Sequence, residues 1–218
     1  IAELLDTDGQ VLHSRETSFG FRTAVFRVDG FYLNGKKTFL RGLNRHQSYP
    51  YIGYAVPESL QRQDARILKN ELHCNAVRTS HYPQSQYFLD ECDRLGLLVF
   101  TELPGWQHIG DEAWKDRACA MLWEMLLQNR NHPSIILWGV RINESVDDDE
   151  FYTRTNQIAH ALDPSRATSG VRYLEKSHLL EDVYAYNDFS HNGSNAGAKR
   201  KKHVTPDLSK ALMISECN

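Results

Sequence analysis

Residues 135–140 read Ile-Ile-Leu-Trp-Gly-Val, an apolar run with no polar alternation. A strand of this kind is buried on both faces, and such strands belong to parallel sheets covered by helices. The run leads into Asn143-Glu144, an amide and a carboxylate side by side where the strand should break into a loop. A carboxylate there is poorly placed for packing and well placed for chemistry. Leu212-Met-Ile-Ser-Glu216 repeats the arrangement, a short apolar strand and then a glutamate. Two strands that each deliver one glutamate at the carboxyl end suggest a paired-carboxylate site.

The rest of the chain fits around these two strands. Residues 11–15 and 24–28 read as short strands of mixed alternation, separated by Ser18-Phe19-Gly20-Phe21-Arg22, where a glycine between aromatics suggests a bend in a β-layer. Asn34-Gly35 between apolar flanks is a hairpin signal. From Thr38 onward strand, loop and helix repeat. Residues 38–43 read as a strand running into Asn44-Arg45-His46. Pro57 precedes a helix over 58–72, with Leu60, Ile67, Leu68 and Leu72 on one face. A strand over 74–79 ends in Ser80-His81-Tyr82-Pro83, and a helix over 84–95 stops at Gly96. A strand over 97–101 ends in Glu102-Leu103-Pro104-Gly105-Trp106. The helix over 111–130 then carries an apolar stripe of Ala118, Met121, Leu122, Met125 and Leu126. A helix over 149–162 closes at Asp163-Pro164, strands follow over 167–171 and 182–187, and the polar stretch 190–205, with Lys199-Arg-Lys-Lys202, reads as a loop.

Strands alternating with helices at this spacing predict an α/β fold with a parallel sheet. Seven such steps predict a (β/α)8 barrel truncated after its seventh strand, preceded by the tail of a β-sandwich domain. The expected division is 1–30 for the end of that β-domain and its linker, and 31–218 for the incomplete barrel. An open barrel would expose a sheet edge and its apolar interior, so the sequence is expected to be a fragment of a longer protein, and in isolation to be inactive. The lack of an initiator Met agrees with that expectation.

Composition narrows the partners. The formal charge of −3 argues for neither nucleic acid nor an anionic membrane, and the four basic residues 199–202 are too few to change this. No run approaches the ~20 apolar residues of a membrane span, and the first residues lack the pattern of a secretory signal. Cys74, Cys92, Cys119 and Cys217 lack metal or disulfide spacing and read as buried free thiols, which favours a cytoplasmic setting.

With these residues laid out, the chain resembles the catalytic half of glycoside hydrolase family 2, the β-galactosidase and β-glucuronidase family. Phe19-Gly-Phe-Arg22 resembles the exit of that family's immunoglobulin-like domain. Leu33-Asn-Gly-Lys36 with Leu40-Arg-Gly-Leu-Asn-Arg-His46 resembles its first barrel strand. Asn75-Ala-Val-Arg-Thr-Ser-His-Tyr-Pro83 resembles the second, and Asp93-Arg-Leu-Gly-Leu-Leu-Val-Phe-Thr-Glu102 the third. Asn131-His-Pro-Ser134 running to Asn143-Glu144-Ser145 resembles the acid/base signature, and Ile214-Ser-Glu216 the nucleophile segment.

The resemblance implies a retaining exo-β-glycosidase, first of all a β-galactosidase, with β-glucuronidase or β-mannosidase as alternatives. It implies Glu144 as general acid/base, Glu216 as nucleophile, and a carbohydrate substrate. It further implies Asn143 at the sugar 2-hydroxyl, with Arg41, His46, His81 and Asn187 lining the sugar subsite. Trp106 offers a flat face to a pyranose ring, whereas Trp138, lying mid-strand, is expected to fill core. Glu102 is expected either to orient Glu144 or Arg41 or to sit in a buried charge network. Some β-galactosidases of the family hold Mg²⁺ through a Glu-x-His arrangement after the third strand. Here the run is Glu102-Leu103-Pro104, so no cofactor is expected and no obligatory Mg²⁺ at that place. Homo-oligomerisation of the parent protein is left open. From other classes, a non-catalytic carbohydrate-binding barrel would need one glutamate lost, and both are present. A metal-dependent hydrolase would need more strand-end ligands than His46 and His81 supply.

Overall fold

The computed structural model describes residues 1–191 and 198–217. An exposed hairpin, β1 (Ala2–Leu5) with β2 (Val11–Arg15), comes first. A three-stranded antiparallel sheet follows, formed by β3 (Ala24–Arg27), β4 (Gly30–Leu33) and β5 (Lys36–Thr38). Its second turn is the predicted Asn34-Gly35 pair, both at positive φ (49° and 78°), the conformation that suits a tight hairpin. This sheet spans positions 30 and 31 and turns Phe31 into the apolar cluster of Leu98, Ile136, Val183 and Ala211.

The barrel itself is seven parallel strands in sequence order. They are β6 (Gly42–Arg45), β7 (Ala76–Thr79), β8 (Leu98–Glu102), β9 (Ile135–Gly139), β10 (Ala167–Arg172), β11 (Val183–Asp188) and β12 (Ala211–Cys217). Helices cover the outside: α1 (Glu58–Arg66), prolonged by a π-helical turn over Ile67–Glu71, then α2 (Gln86–Leu95), α3 (Glu112–Asn129) and α4 (Asp149–Leu162). Asp111 and Asp148 cap α3 and α4 by accepting backbone N–H bonds from Trp114 (2.9 Å) and Phe151 (3.1 Å), and Ser85 caps α2. Gly96 ends α2 in the left-handed conformation expected of it. The fold is thus a (β/α)8 barrel lacking one strand, as expected.

Two apolar layers hold it. Outside the sheet, Val77, Val99, Ile135 and Trp138 pack against Phe88, Leu122, Leu126 and Phe151 of the helices. Inside, Leu98, Phe100, Ile136 and Val171 meet the three-stranded sheet. Trp138 is fully buried; it donates to Asp163 Oδ2 (3.0 Å) under the Arg166 guanidinium, so it fills core as expected. Among the described residues β6 and β12 do not pair. Between them opens a cleft of about 1000 Å³ lined by Leu40, Leu43, Phe100, Ile136, Met213 and Glu216.

Several boundaries differ from expectation. The first barrel strand is Gly42–Arg45, not 38–43, because Lys36–Thr38 pairs with β4 in the preceding sheet. On α1 the buried positions are Gln61 and Ala65, followed by Leu68 in the π-turn, and Leu72 is exposed. Met121 falls on the flank of the α3 stripe and is exposed. Part of the expected loop 190–205 is helical, α5 (Lys201–Val204), because Val204 packs on Tyr184 and Tyr186; residues 192–197 lie outside the described residues. Cys74, Cys92 and Cys119 are buried free thiols, but Cys217 is exposed, at the end of β12, which among the described residues pairs on one edge only. No helix among the described residues is long and apolar enough to cross a membrane.

Candidate active site

Parallel strands all present their carboxyl ends to one rim, and there the polar side chains converge. Arg78, near the end of β7 and 4% exposed, is the hub. It makes two bonds to Glu102 (Nε–Oε1 2.7 Å, Nη2–Oε2 3.1 Å), and donates to Asn143 Oδ1 (2.6 Å) and Glu216 Oε2 (3.1 Å). Its Nη2 also lies 3.0 Å from His81 Nδ1, which is itself 3.4 Å from Glu102 Oε2. A fully buried arginine is costly unless paired, and here every partner is a site residue. Glu102 is equally buried. Burial pushes its carboxyl up, but the charge of Arg78 and the bonds from His81 and Arg78 outweigh that and hold it below the ordinary value. Gly139 of β9 makes room for it: a Cβ there would sit 2.8 Å from Glu102 Cγ.

The two glutamates of the opening motif meet across Asn187, which lies on β11 and is buried. Its single NH2 group donates to Glu144 Oε1 (2.9 Å) and to Glu216 Oε2 (3.1 Å), and Ser215 Oγ donates to its Oδ1 (3.0 Å), fixing the amide's orientation. The other oxygen of Glu144 accepts from Trp106 Nε1 (3.2 Å) and Gln107 Nε2 (3.2 Å). Glu144 lies five residues past β9 with φ 55°, and Gln107 has φ 60°. For residues with a Cβ this left-handed conformation costs roughly 1–2 kcal/mol, and the bonds Glu144 N–H to Val171 O (3.0 Å) and Gln107 N–H to Asn143 O (2.7 Å) hold it.

Of the residues expected in the site, Asn143, Glu144, Glu216, His81, Asn187 and Trp106 are brought together. His46 stands at the rim, its ring 5.3 Å from that of His81 and its Nδ1 3.4 Å from Tyr82 Oη. Partial burial, then the charges of His81 and Arg78, lower its pKa. Arg41 is a correction. It precedes β6, and its backbone is bonded to Asn75 ahead of β7 (Arg41 N–H to Oδ1 2.7 Å), so it lies at the amino end of the barrel, away from the carboxylates. The error follows from the misplaced first strand. Arg78 and Gln107 were not anticipated. Arg78 did carry a signal, a charged residue inside the apolar Ala-Val-Arg-Thr strand; Gln107, in a loop, carried none. Glu102 belongs to a buried charge network with Arg78, not with Arg41.

One group of the described residues brings metal-ligand atoms within 4.8 Å of one another: Asp90, Asp93 and His132. Both ring nitrogens of His132 are engaged, by Asp93 (2.6 Å) and Gln86 (3.0 Å), and Asp93 accepts the Ser134 N–H (2.9 Å). This trio ties α2 to the start of β9, at the end opposite the site.

A parallel (β/α)8-type barrel whose carboxyl rim holds two glutamates bridged by an amide has the architecture of a barrel glycosidase. Residues 25–216 match the family described as "Glycosyl hydrolases family 2, TIM barrel domain", and the chain belongs to that family. It is 63% identical over 190 residues to a β-galactosidase of Thermoanaerobacterium thermosulfurigenes, covering 87% of this chain and 26% of that protein. It is 59% identical over 189 residues to a β-galactosidase of Thermoanaerobacter pseudethanolicus, covering 86% of this chain and 25% of that protein. Among solved structures, the apo β-glucuronidase 3 of Bacteroides uniformis superposes with a TM-score of 0.76 at 38% identity, covering 86% of this chain and 25% of that one. The chain therefore spans about a quarter of the length of these relatives.

Proposed function

We propose that this barrel is part of a retaining exo-β-glycosidase, with Glu144 as general acid/base and Glu216 as nucleophile. The observation that carries the reading is the Asn187 amide, whose one nitrogen is bonded to both carboxylates. The two bonded oxygens lie no farther apart than those bonds laid end to end, about 6 Å. That bound accommodates the ~5–5.5 Å of retaining enzymes and lies below the ~6.5–9.5 Å of inverting ones. In the first step the Glu144 carboxyl gives its proton to the glycosidic oxygen while a Glu216 oxygen attacks the anomeric carbon. The bond to the aglycone breaks and a glycosyl ester forms. In the second, Glu144 takes a proton from water, the water oxygen attacks the same carbon, and the Glu216 carboxylate leaves.

Arg78 orients the nucleophile and, by holding Asn143 Oδ1, turns the Asn143 NH2 toward a sugar hydroxyl. Trp106 and Gln107 orient the acid. His46 and His81 line the sugar subsite, and no Mg²⁺ is required beside Glu102. The β-galactosidases at 59–63% identity favour a terminal β-galactoside as substrate. The likeness to a solved β-glucuronidase at 38% identity supports a glucuronide as the second reading.

The test is hydrolysis of p-nitrophenyl β-galactoside and β-glucuronide by the full-length protein, with and without EDTA, beside Glu216→Gln. Galactoside turnover that survives EDTA and is lost in the variant is the expected result. Glucuronide turnover alone would replace the substrate and keep the mechanism. Full activity in Glu216→Gln would overturn the mechanism.

A further inference from the structure

The segment from β9 to α4 folds back on itself around one buried cation. Arg141 is 2% exposed, and its side chain lies over Gly170 of β10, where a Cβ would sit 2.2 Å from its own. Its Nη2 donates to the Ser145 carbonyl (3.1 Å) and to Asp147 Oδ1 (2.6 Å), and its guanidinium stacks over the Tyr152 ring of α4 at 4.6 Å. Asp147 Oδ2 in turn accepts the His178 N–H (3.0 Å) from the β10–β11 connection. Tyr152 Oη and Ser145 Oγ lie 2.6 Å apart, and Ser145 Oγ donates to the Ile142 carbonyl (2.9 Å). Residues on both sides of Glu144 are thus pinned, while Glu144 itself stands in the left-handed region.

A salt bridge that served stability alone has no need to grip the backbone carbonyl next to a strained carboxylate. Removing this cation would free the Ser145 carbonyl and leave Asp147 without its charged partner. The loop could then relax toward ordinary φ, swinging the Glu144 carboxyl away from Trp106 and Asn187.

We propose that Arg141 is a positioning residue for Glu144, bracing the β9–α4 loop so that the carboxyl is aimed at the leaving-group oxygen. The proposal rests on the acid/base role given to Glu144 above. It requires that loss of Arg141 impair protonation of the aglycone and spare attack by Glu216. A leaving group that departs without protonation should then be indifferent to Arg141, and one that needs a proton should not.

The experiment uses the full-length protein and two glycosides of the series it hydrolyses, galactoside or glucuronide: the 2,4-dinitrophenyl and the methyl compound. The reading is kcat/KM, which reports the step that breaks the glycosidic bond. In Arg141→Met, kcat/KM for the methyl glycoside should fall about 10- to 100-fold and that for the dinitrophenyl glycoside by less than about threefold, with Arg141→Lys recovering part of the loss. Equal losses on both substrates, or none, would overturn the proposal. If Arg141→Met does not fold, Asp147→Asn, which loosens the same brace, carries the same expected split and the same contrary outcomes. Glu144→Gln is the control. A split in the control but not in the brace variants defeats this proposal alone, whereas no split in the control defeats the assignment of Glu144.

Discussion

Strands β9 and β12 each lead to one of the paired glutamates, yet they are held very differently. β9 has a partner on both sides, β8 and β10, and every one of its residues is buried. The loop beyond it is tied down by Trp106, Gln107, Arg141 and Val171. β12 has β11 on one side and the open cleft on the other; most of its residues are half-buried, and the Glu216 side chain is 34% exposed. What fixes Glu216 are two side chains reaching from other strands, Arg78 and Asn187. In a parallel barrel a site residue inherits its rigidity from the strands beside it. The place of Glu144 is therefore set within these residues, and that of Glu216 depends on what pairs with the edge of β12 that no described strand covers.

The comparison can be broken most sharply by chemistry. In the full-length protein Glu216→Gln should lower kcat/KM by about 10⁴-fold or more on every substrate, while Glu144→Gln should lower it about 10²–10⁴-fold, and only where the leaving group needs a proton. Equal, substrate-independent losses would erase the distinction. The isolated 218-residue chain should show no turnover in the same assay, because among the described residues the strand that carries Glu216 has a neighbour on one side only. Measurable turnover by it would mean that Arg78 and Asn187 suffice.

Arg78→Met should come next, since it unties both carboxylate partners at once. It leaves Glu102 buried without its cation, a loss of about 3–5 kcal/mol in unfolding experiments. The pH dependence has a definite sign. Glu102 is held below its ordinary value, so its contribution to stability is present above the unfolded carboxylate pKa of ~4.3 and is lost as pH falls through the lower folded value. In Arg78→Met the largest influence that lowers Glu102 is gone, and the acid limb should move to higher pH; an unchanged limb would exclude Glu102 as its source. Smaller still, hydrogen exchange on the isolated chain should protect β9 amides far more than those of β12. Smallest in its effect on activity, Trp138→Phe removes the bond to Asp163 and part of a fully buried ring, and should cost about 1–3 kcal/mol in unfolding experiments while leaving turnover unchanged.

The same contrast governs what could be read in the sequence. β9, α4 and the Gly96 helix stop were legible because apolar runs, capping residues and a left-handed glycine are local signals. The pairing of Lys36–Thr38 with β4 is a tertiary choice, and it displaced the first barrel strand and carried Arg41 to the wrong end. Both glutamates were legible as carboxylates at strand ends, Asn143 and Asn187 through the family likeness. The roles of Arg78 and Gln107 were not, because each is defined by partners 24 to 138 residues away in sequence.

The central claim is that Glu216 forms the covalent bond and Glu144 does not. The direct measurement is to incubate the full-length protein with 2,4-dinitrophenyl 2-deoxy-2-fluoro-β-galactoside, or the glucuronide analogue if that is the sugar it cleaves, and to locate the trapped ester by peptide mass spectrometry. A label on the peptide carrying Leu212-Met-Ile-Ser-Glu216, confined to Glu216, is the expected result. A label on Glu144 or Glu102, or fluorosugar turnover with no ester at any residue, would contradict it.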